Sequence, residues 1–570
     1  MEESKRKVMR PLFYREISID CKFTHQNFLK KGFQTFSSLV LKCQNAAYPR
    51  EEGITDPKNT TLVKLFKKIK LTKKVDLSKL QILKPTPSLS AFLCIIKRIS
   101  HVRAFSIYDH RGKETNFKGL FATCPRYMKQ LKALDSQIKI QSAAGFLDQP
   151  AKVPKEMLFQ SDFLRFVPKF EEMKVIFPFY QYLQQMNRVL QFNKYPVSMR
   201  KFSLRHPNCR PGALNVSIEH LKELRDLEIV LVSESSFELA NSAYNIISKV
   251  PAQLQVLRVN FDQGFYIDAA INKAIKRLVY LKKVKLQLSS VGFADNLQIL
   301  ENLKDCPLES LNLAIDFRID QDILRVKELL SKKKNTLRRL KLSLIKKKGT
   351  FESVFSLTEL VKAIDNLPQL TNFYFLLRVS KPELKSAFAF KNLFTKPIPL
   401  KKFQLISAHL SFSKAEFLDL LNPLQGISYQ LEKLRIDIGE FKLESQTDSN
   451  LVCEFIRSLV NTRMLKLDNL IVSQQYFPKI IEAIMSLRRL TDVTIGQFFE
   501  VPMKVLVSGI GKILERYGLR NFECRIMRSF KQSYEEYNPI NLRNIKRKNP
   551  YLQIYPGTLV SRLEPEDEIW

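Results

Sequence analysis

The stretch Lys504-Val505-Leu506-Val507-Ser508-Gly509-Ile510-Gly511-Lys512 is the strongest candidate for a phosphate site in this 570-residue chain. An apolar run leading into Gly-x-Gly-Lys has the composition of a loop whose backbone N–H groups face an anion. Two departures weigh against that chemistry. The first glycine of such a loop would fall at Leu506, and no Ser or Thr follows Lys512 to hold a magnesium ion. A helix that tolerates two small residues explains the same letters. His206 and Cys209 are three apart, as metal ligands often are, but no second pair completes a tetrahedral site. His110 follows Asp109, and adjacent side chains diverge on a strand. Neither Gly-x-Ser-x-Gly nor His-Glu-x-x-His occurs. These observations predict a protein that is not an enzyme and carries no cofactor or metal.

Charge is the remaining chemical signal. The 93 Lys and Arg outnumber the 56 Asp and Glu, for a net charge of +37. Such an excess favours anionic partners, whether acidic protein surfaces or a nucleic-acid backbone. Much of it carries no positional information: Lys64, Lys67, Lys68, Lys70, Lys73 and Lys74, like Lys332 to Lys334, form runs that any solvated surface accommodates. The eight cysteines are scattered without a Cys-x-x-Cys pair, and Met1 to Lys7 opens a polar leader. No run reaches the roughly 18 apolar residues that a membrane span requires. The expectation is a soluble protein of the cytoplasm, with the nucleus as the alternative compartment.

Elements that position side chains emerge from a repeat. The phrase apolar-x-x-apolar-x-apolar begins at Leu224, Leu254, Leu281, Leu308, Leu337 and Leu370, and again at Leu400, Leu431, Thr462, Leu490, Leu519 and Asn549. Successive starts lie 27 to 33 residues apart. The alternation within each phrase suits a strand with one buried face. Between phrases, Ile271-Ala274-Ile275-Leu278 and Ile323-Val326-Leu329-Leu330 follow helical spacing. One strand and one helix in about 29 residues cannot bury both apolar stripes alone, whereas stacked copies can. Upstream, Met199, Phe170, Leu131, Val102, Thr72 and Phe36 fit the same template less evenly. This predicts a leader and cap over 1–35, irregular repeats with insertions over 36–198, regular repeats over 199–556 and an acidic tail over 557–570. A separate N-terminal domain is the rival reading for the irregular part.

The unit resembles the leucine-rich repeat, in the longer class seen in ribonuclease-inhibitor-like and F-box-associated repeat proteins. That resemblance implies an α/β solenoid, a curved horseshoe with parallel strands on its concave face and helices on its convex face. It also implies a scaffold that binds macromolecules on the inner face. One feature departs from the family. Its Asn or Cys, three residues after the last leucine of the phrase, is replaced here by Asp262, Ser289, Asp316, Ile345 or Gly439. The turn ladder is degenerate, so irregular repeat geometry is expected. Met9 to Leu41 lacks the Leu-Pro opening and three-helix pattern of an F-box.

In each phrase positions four and six are buried, so positions three and five face outward from the core. Nine basic residues occupy them between Arg258 and Lys466: Arg258, Lys283, Lys285, Arg339, Lys341, Lys402, Lys433, Arg435 and Lys466. Tyr374 sits among them, placed to stack on a base or anchor a protein contact. Asp226, Glu228, Asp492 and Glu523 lie at the two ends. The reading is a scaffold binding a protein partner, acidic in character, along a basic concave stripe. The alternatives are a ubiquitin-ligase substrate receptor and a nucleic-acid binder that uses the same stripe. Oligomeric state is not legible.

Overall fold

The computed structural model describes strands at 17–20, 38–42, 79–83, 104–109 and 133–138. Beyond them it describes residues 171–176, 198–206, 218–231, 246–261, 269–289, 297–317, 319–346, 354–379, 393–407, 414–438, 441–499, 503–514 and 521–527. Two compact units divide the chain, at 1–287 and 288–570.

The first unit is a parallel progression of strands. It runs β1 (Ile17–Asp20), β2 (Ser38–Lys42), β3 (Lys79–Leu83), β4 (Ala104–Asp109) and β5 (Ala133–Ile138), then β6 (Glu172–Ile176), β7 (Lys201–His206), β8 (Asp226–Leu231), β9 (Val256–Phe261) and β10 (Lys283–Ser289). Each pairs in parallel with its sequence neighbour. Helix α1 (Ala269–Lys276) precedes β10. Two upstream phrases differ from expectation. The strand forms at Lys79, two residues into the phrase that begins at Leu77, and not at the one that begins at Thr72. Residues 17–20, within the expected leader and cap, form a strand whose Ile17 is in register with Leu39.

The second unit repeats the pattern: α2 (Gln298–Leu303), β11 (Ser310–Asp316), α3 (Asp320–Lys332), β12 (Arg339–Lys346), α4 (Val354–Asp365), β13 (Asn372–Val379) and β14 (Lys402–Ser407). It continues through α5 (Lys414–Ile427), β15 (Lys433–Ile438), the two-residue β16 (Phe441–Lys442), α6 (Gln446–Ser458) and β17 (Met464–Ser473), then α7 (Phe477–Met485), β18 (Asp492–Phe499), α8 (Met503–Leu514) and β19 (Asn521–Met527). One parallel strand per repeat, with a returning helix where the connection is described, gives the stacking of a leucine-rich-repeat solenoid. The phrase at Asn549 lies outside the described residues.

The core is where the alternation places it. Leu311, Leu313, Leu340, Leu342, Phe373, Phe375, Phe403, Leu405, Leu434 and Ile436 are buried, as are Ile323, Val326, Leu329 and Leu330 on the facing side of α3. Phe373 stacks on Phe403 at 5.9 Å between ring centres, and Phe394 meets both edge-on. Burying rings of this size contributes about 2–3 kcal/mol each.

Backbone bonding that ties neighbouring repeats sits at the start of each strand. The N–H groups of the second and third phrase residues both donate to one carbonyl of the preceding repeat. Arg338 and Arg339 donate to Glu309, Thr371 and Asn372 to Arg338, Lys401 and Lys402 to Thr371, and Glu432 and Lys433 to Lys401. Side chains reinforce the same edge. The amides just ahead of a phrase, Gln253, Gln430 and Asn461, donate to the carbonyls of Lys222, Ile398 and Tyr429, each two residues ahead of the previous phrase. Buried Lys333 does the equivalent, its Nζ donating to the carbonyls of Lys304 and Cys306. Burial pushes its ammonium below the usual lysine range.

Register shifts where β18 meets β17 and β19. At that shift a methyl group on Gly496 would lie 2.6 Å from the Asp468 carbonyl oxygen and 2.6 Å from the Leu470 nitrogen, so only glycine fits.

Candidate binding face

Side chains at phrase positions three, five and seven project from the sheet face turned away from the helices, and register aligns them into rows. In the second unit the first row is Ser310, Arg339, Asn372, Lys402, Lys433, Met464 and Asp492. The second is Asn312, Lys341, Tyr374, Gln404, Arg435, Lys466 and Thr494. The third, Ala314, Ser343, Leu376, Ile406 and Asp437, follows two residues further on. Neighbouring strands lie about 4.8 Å apart, and successive rows on one face lie about 6.6 Å apart.

The rows differ in character. In the first, Arg339 is exposed and Lys402 and Lys433 are half-buried. Among the described residues none of these three makes an ion pair, and Glu432 beside them turns to Lys401. Burial, with the like charges of Lys433 and Arg339, pushes the Lys402 ammonium below its usual range. The second row forms a floor. Lys341 and Gln404 are only 6% and 5% exposed, and Tyr374 is 8% exposed with the Lys341 Nζ 4.5 Å above its ring centre. Tyr374 thus carries a cation from its own sheet over its ring, where a stacking base would compete with Lys341. The third row is apolar at its centre, where Leu376 and Ile406 are half-buried neighbours in register.

The continuous basic stripe read from sequence is broken by acids that follow the phrase. Arg435 donates from Nε to Asp468 at 2.9 Å and from Nη2 to Asp437 at 3.4 Å. Burial alone would lower its pKa, but the two carboxylates outweigh it and raise it. Lys466 is half-buried on the strand next to Arg435.

The first unit carries Arg258, Lys283 and Lys285 on its own face. Its first row runs Glu172, Lys201, Asp226, Val256 and Lys283, and its second includes Ser203, Glu228, Arg258 and Lys285. Here opposite charges alternate. Arg258 donates to Asp226 at 2.7 Å, Lys201 lies 4.0 Å from Glu172, and Ser203 donates to Glu228. Burial raises the Asp226 pKa despite Arg258. Lys283 is exposed and Lys285 half-buried. The ten sequence-predicted residues are thus three on a face of mixed charge and seven on a face with a cationic edge.

The other chemical candidates resolve simply. Residues 504–512 lie inside α8, and Gly509 is there because a methyl group would come within 2.5 Å of the Phe477 ring of α7. No anion cradle forms. Cys209 lies outside the described residues, and among those described no three His, Cys, Asp or Glu converge for a metal. No described helix is long and apolar enough to cross a membrane.

No family model and no curated protein matches this chain. Among solved structures it is similar to the TLR13–ssRNA13 complex, at 12% identity and a TM-score of 0.37, over 84% of this chain and 62% of that one. It is also similar to an internalin, InlF of Listeria monocytogenes, at 13% identity and a TM-score of 0.30, over 70% of this chain and 90% of that one. This chain therefore spans less than two thirds of the first of these. Its fold is assigned on the strand register described above.

Proposed function

We propose that this protein is a non-catalytic repeat scaffold that binds a protein partner on the strand face of its second unit. The observation that carries the reading is the pairing of a cationic row, Arg339, Lys402 and Lys433, with the apolar neighbours Leu376 and Ile406 on one rigid sheet. The buried floor of Lys341, Tyr374 and Gln404 lies between them, and the charges steer the encounter. A nucleic-acid backbone fits less well. It presents uniform negative charge, and Asp437, Asp468 and Asp492 lie along the same face, while Tyr374 is covered. A substrate receptor with an F-box over Met9 to Leu41 is disfavoured by strand β1, which falls inside that segment, and by β2, which begins in it.

Affinity capture from nuclease-treated extract, with wild type and a Ser310→Trp/Asn312→Trp variant that blocks this face, tests the reading. Proteins captured by wild type and lost from the blocked variant are expected. Identical capture by both would remove the strand face as the docking surface, and capture that vanishes with nuclease would point to nucleic acid.

A further inference from the structure

The rows also constrain the shape of what they receive. Arg339, Lys402 and Lys433 span three strand spacings, about 14 Å, along the first row. Leu376 and Ile406 sit two rows away, about 13 Å along the strands from that cationic edge. An extended peptide lying across the strands presents one line of side chains to the sheet and covers one row. An α-helix with side chains is about 10–12 Å wide and carries separate stripes on its two flanks. We propose that the second unit receives an acidic amphipathic helix laid across β12 to β15, its carboxylates against Arg339, Lys402 and Lys433 and its apolar flank against Leu376 and Ile406.

The floor between the rows suits this occupant. Lys341 is folded over Tyr374 and Gln404 is buried, so nothing long stands up between the two edges. Helical spacing also matches the cationic row. Residues i and i+8 on one helix flank lie about 12 Å apart along the axis, so with i at Arg339 the carboxylate at i+8 falls between the roots of Lys402 and Lys433, about 10 and 14 Å away. Flexible lysine stems absorb the difference. Arg435, clamped by Asp437 and Asp468, closes the far end with acids that repel carboxylates and so limit how far an acidic stripe can run. This inference rests on the proposed scaffold reading and adds the chemistry and conformation of the partner segment.

The test uses the full chain and a fluorescent helical peptide with Glu at every fourth position on one flank and Leu on the adjoining stripe. A scrambled peptide of equal composition serves as the reference. Anisotropy titration is expected to show the helical probe binding about tenfold or more tightly than the scrambled one. Arg339→Gln/Lys402→Gln/Lys433→Gln and, separately, Leu376→Ser/Ile406→Ser should each lose most of that binding. Lys332→Gln/Lys334→Gln/Lys512→Gln, which removes equal charge from exposed sites off this face, should not. Equal affinity for both peptides, or equal loss in the off-face variant, would overturn the proposal, as would tighter binding of a single-stranded RNA through the same residues. A failed helical probe beside a face-dependent protein capture would leave the scaffold reading standing and remove only the helix. Circular dichroism melts verify that each variant folds.

Discussion

At the scale of single residues, the most informative cations are those whose neighbours were hidden from the repeat template. Arg339, Lys402 and Lys433 share a row without acids between them, so the folded state carries a repulsion that the unfolded chain avoids. Burial, and after it the like charges of Lys433 and Arg339, lowers the affinity of Lys402 for protons. A lysine whose folded pKa is depressed costs stability while charged. The cost is present at neutral pH and shrinks as pH rises from the folded value towards the ordinary 10.5. Lys402→Gln is therefore expected to raise the urea midpoint at neutral pH, with the gain fading through that alkaline window. A gain that persists above it would contradict the repulsion. Cys306 illustrates the opposite environment. Burial pushes its thiol up to about 11, so the nucleophilic thiolate is scarce at neutral pH. Alkylation followed by peptide mass spectrometry should label Cys306 only after denaturant is added. Rapid labelling of the native chain would show that its burial is transient.

At the scale of elements, the repeat period was legible because each strand must bury every second residue. Leu340, Leu342 and their counterparts stack directly above one another. What spacing could not decide was phase where two phrases overlap. Thr72-Lys73-Lys74-Val75-Asp76-Leu77 and Leu77-Ser78-Lys79-Leu80-Gln81-Ile82 both match the template. The second wins because it sets Leu80 and Ile82 in register with Leu39 and Leu41 on one side and Phe105 and Ile107 on the other. The candidate site was half legible for a related reason. The template stops at the sixth phrase residue, whereas the strands run past it, β15 to Ile438 and β17 to Ser473. The acids that clamp Arg435 fall in that extension. So does Gly496, where β18 passes against the backbone of β17. Gly496→Ala is expected to cost about 1–3 kcal/mol, since the added methyl meets backbone and not a movable side chain. Urea denaturation would measure it, and a cost near zero would mean that β17 and β18 separate easily. On α8, Gly509→Ala should act more mildly, because the Phe477 ring it meets can turn.

At the scale of the whole molecule, the net charge of +37 acts on folding and binding in opposite directions. Compaction brings like charges together, and the resulting self-repulsion weakens as salt screens it over a Debye length of about 10 Å at 0.1 M. Among the described residues, Arg435 with Asp437 and Asp468, and Arg258 with Asp226, form partly buried ion pairs that salt screens less. Folding stability, followed as the thermal midpoint, is therefore expected to rise from very low to moderate NaCl and then level off. Binding of an acidic helix to Arg339, Lys402 and Lys433 should weaken over the same range, because attraction to those cations is screened along with their mutual repulsion. The two trends separate their causes. The Arg339→Gln/Lys402→Gln/Lys433→Gln variant should keep most of the rise in thermal midpoint, since the remaining excess of charge is spread over the chain, yet lose the salt sensitivity of peptide binding. If the variant instead lost the rise in midpoint and kept the salt-sensitive binding, the charge that opposes folding would be concentrated in this row. The cations that attract the partner would then lie elsewhere.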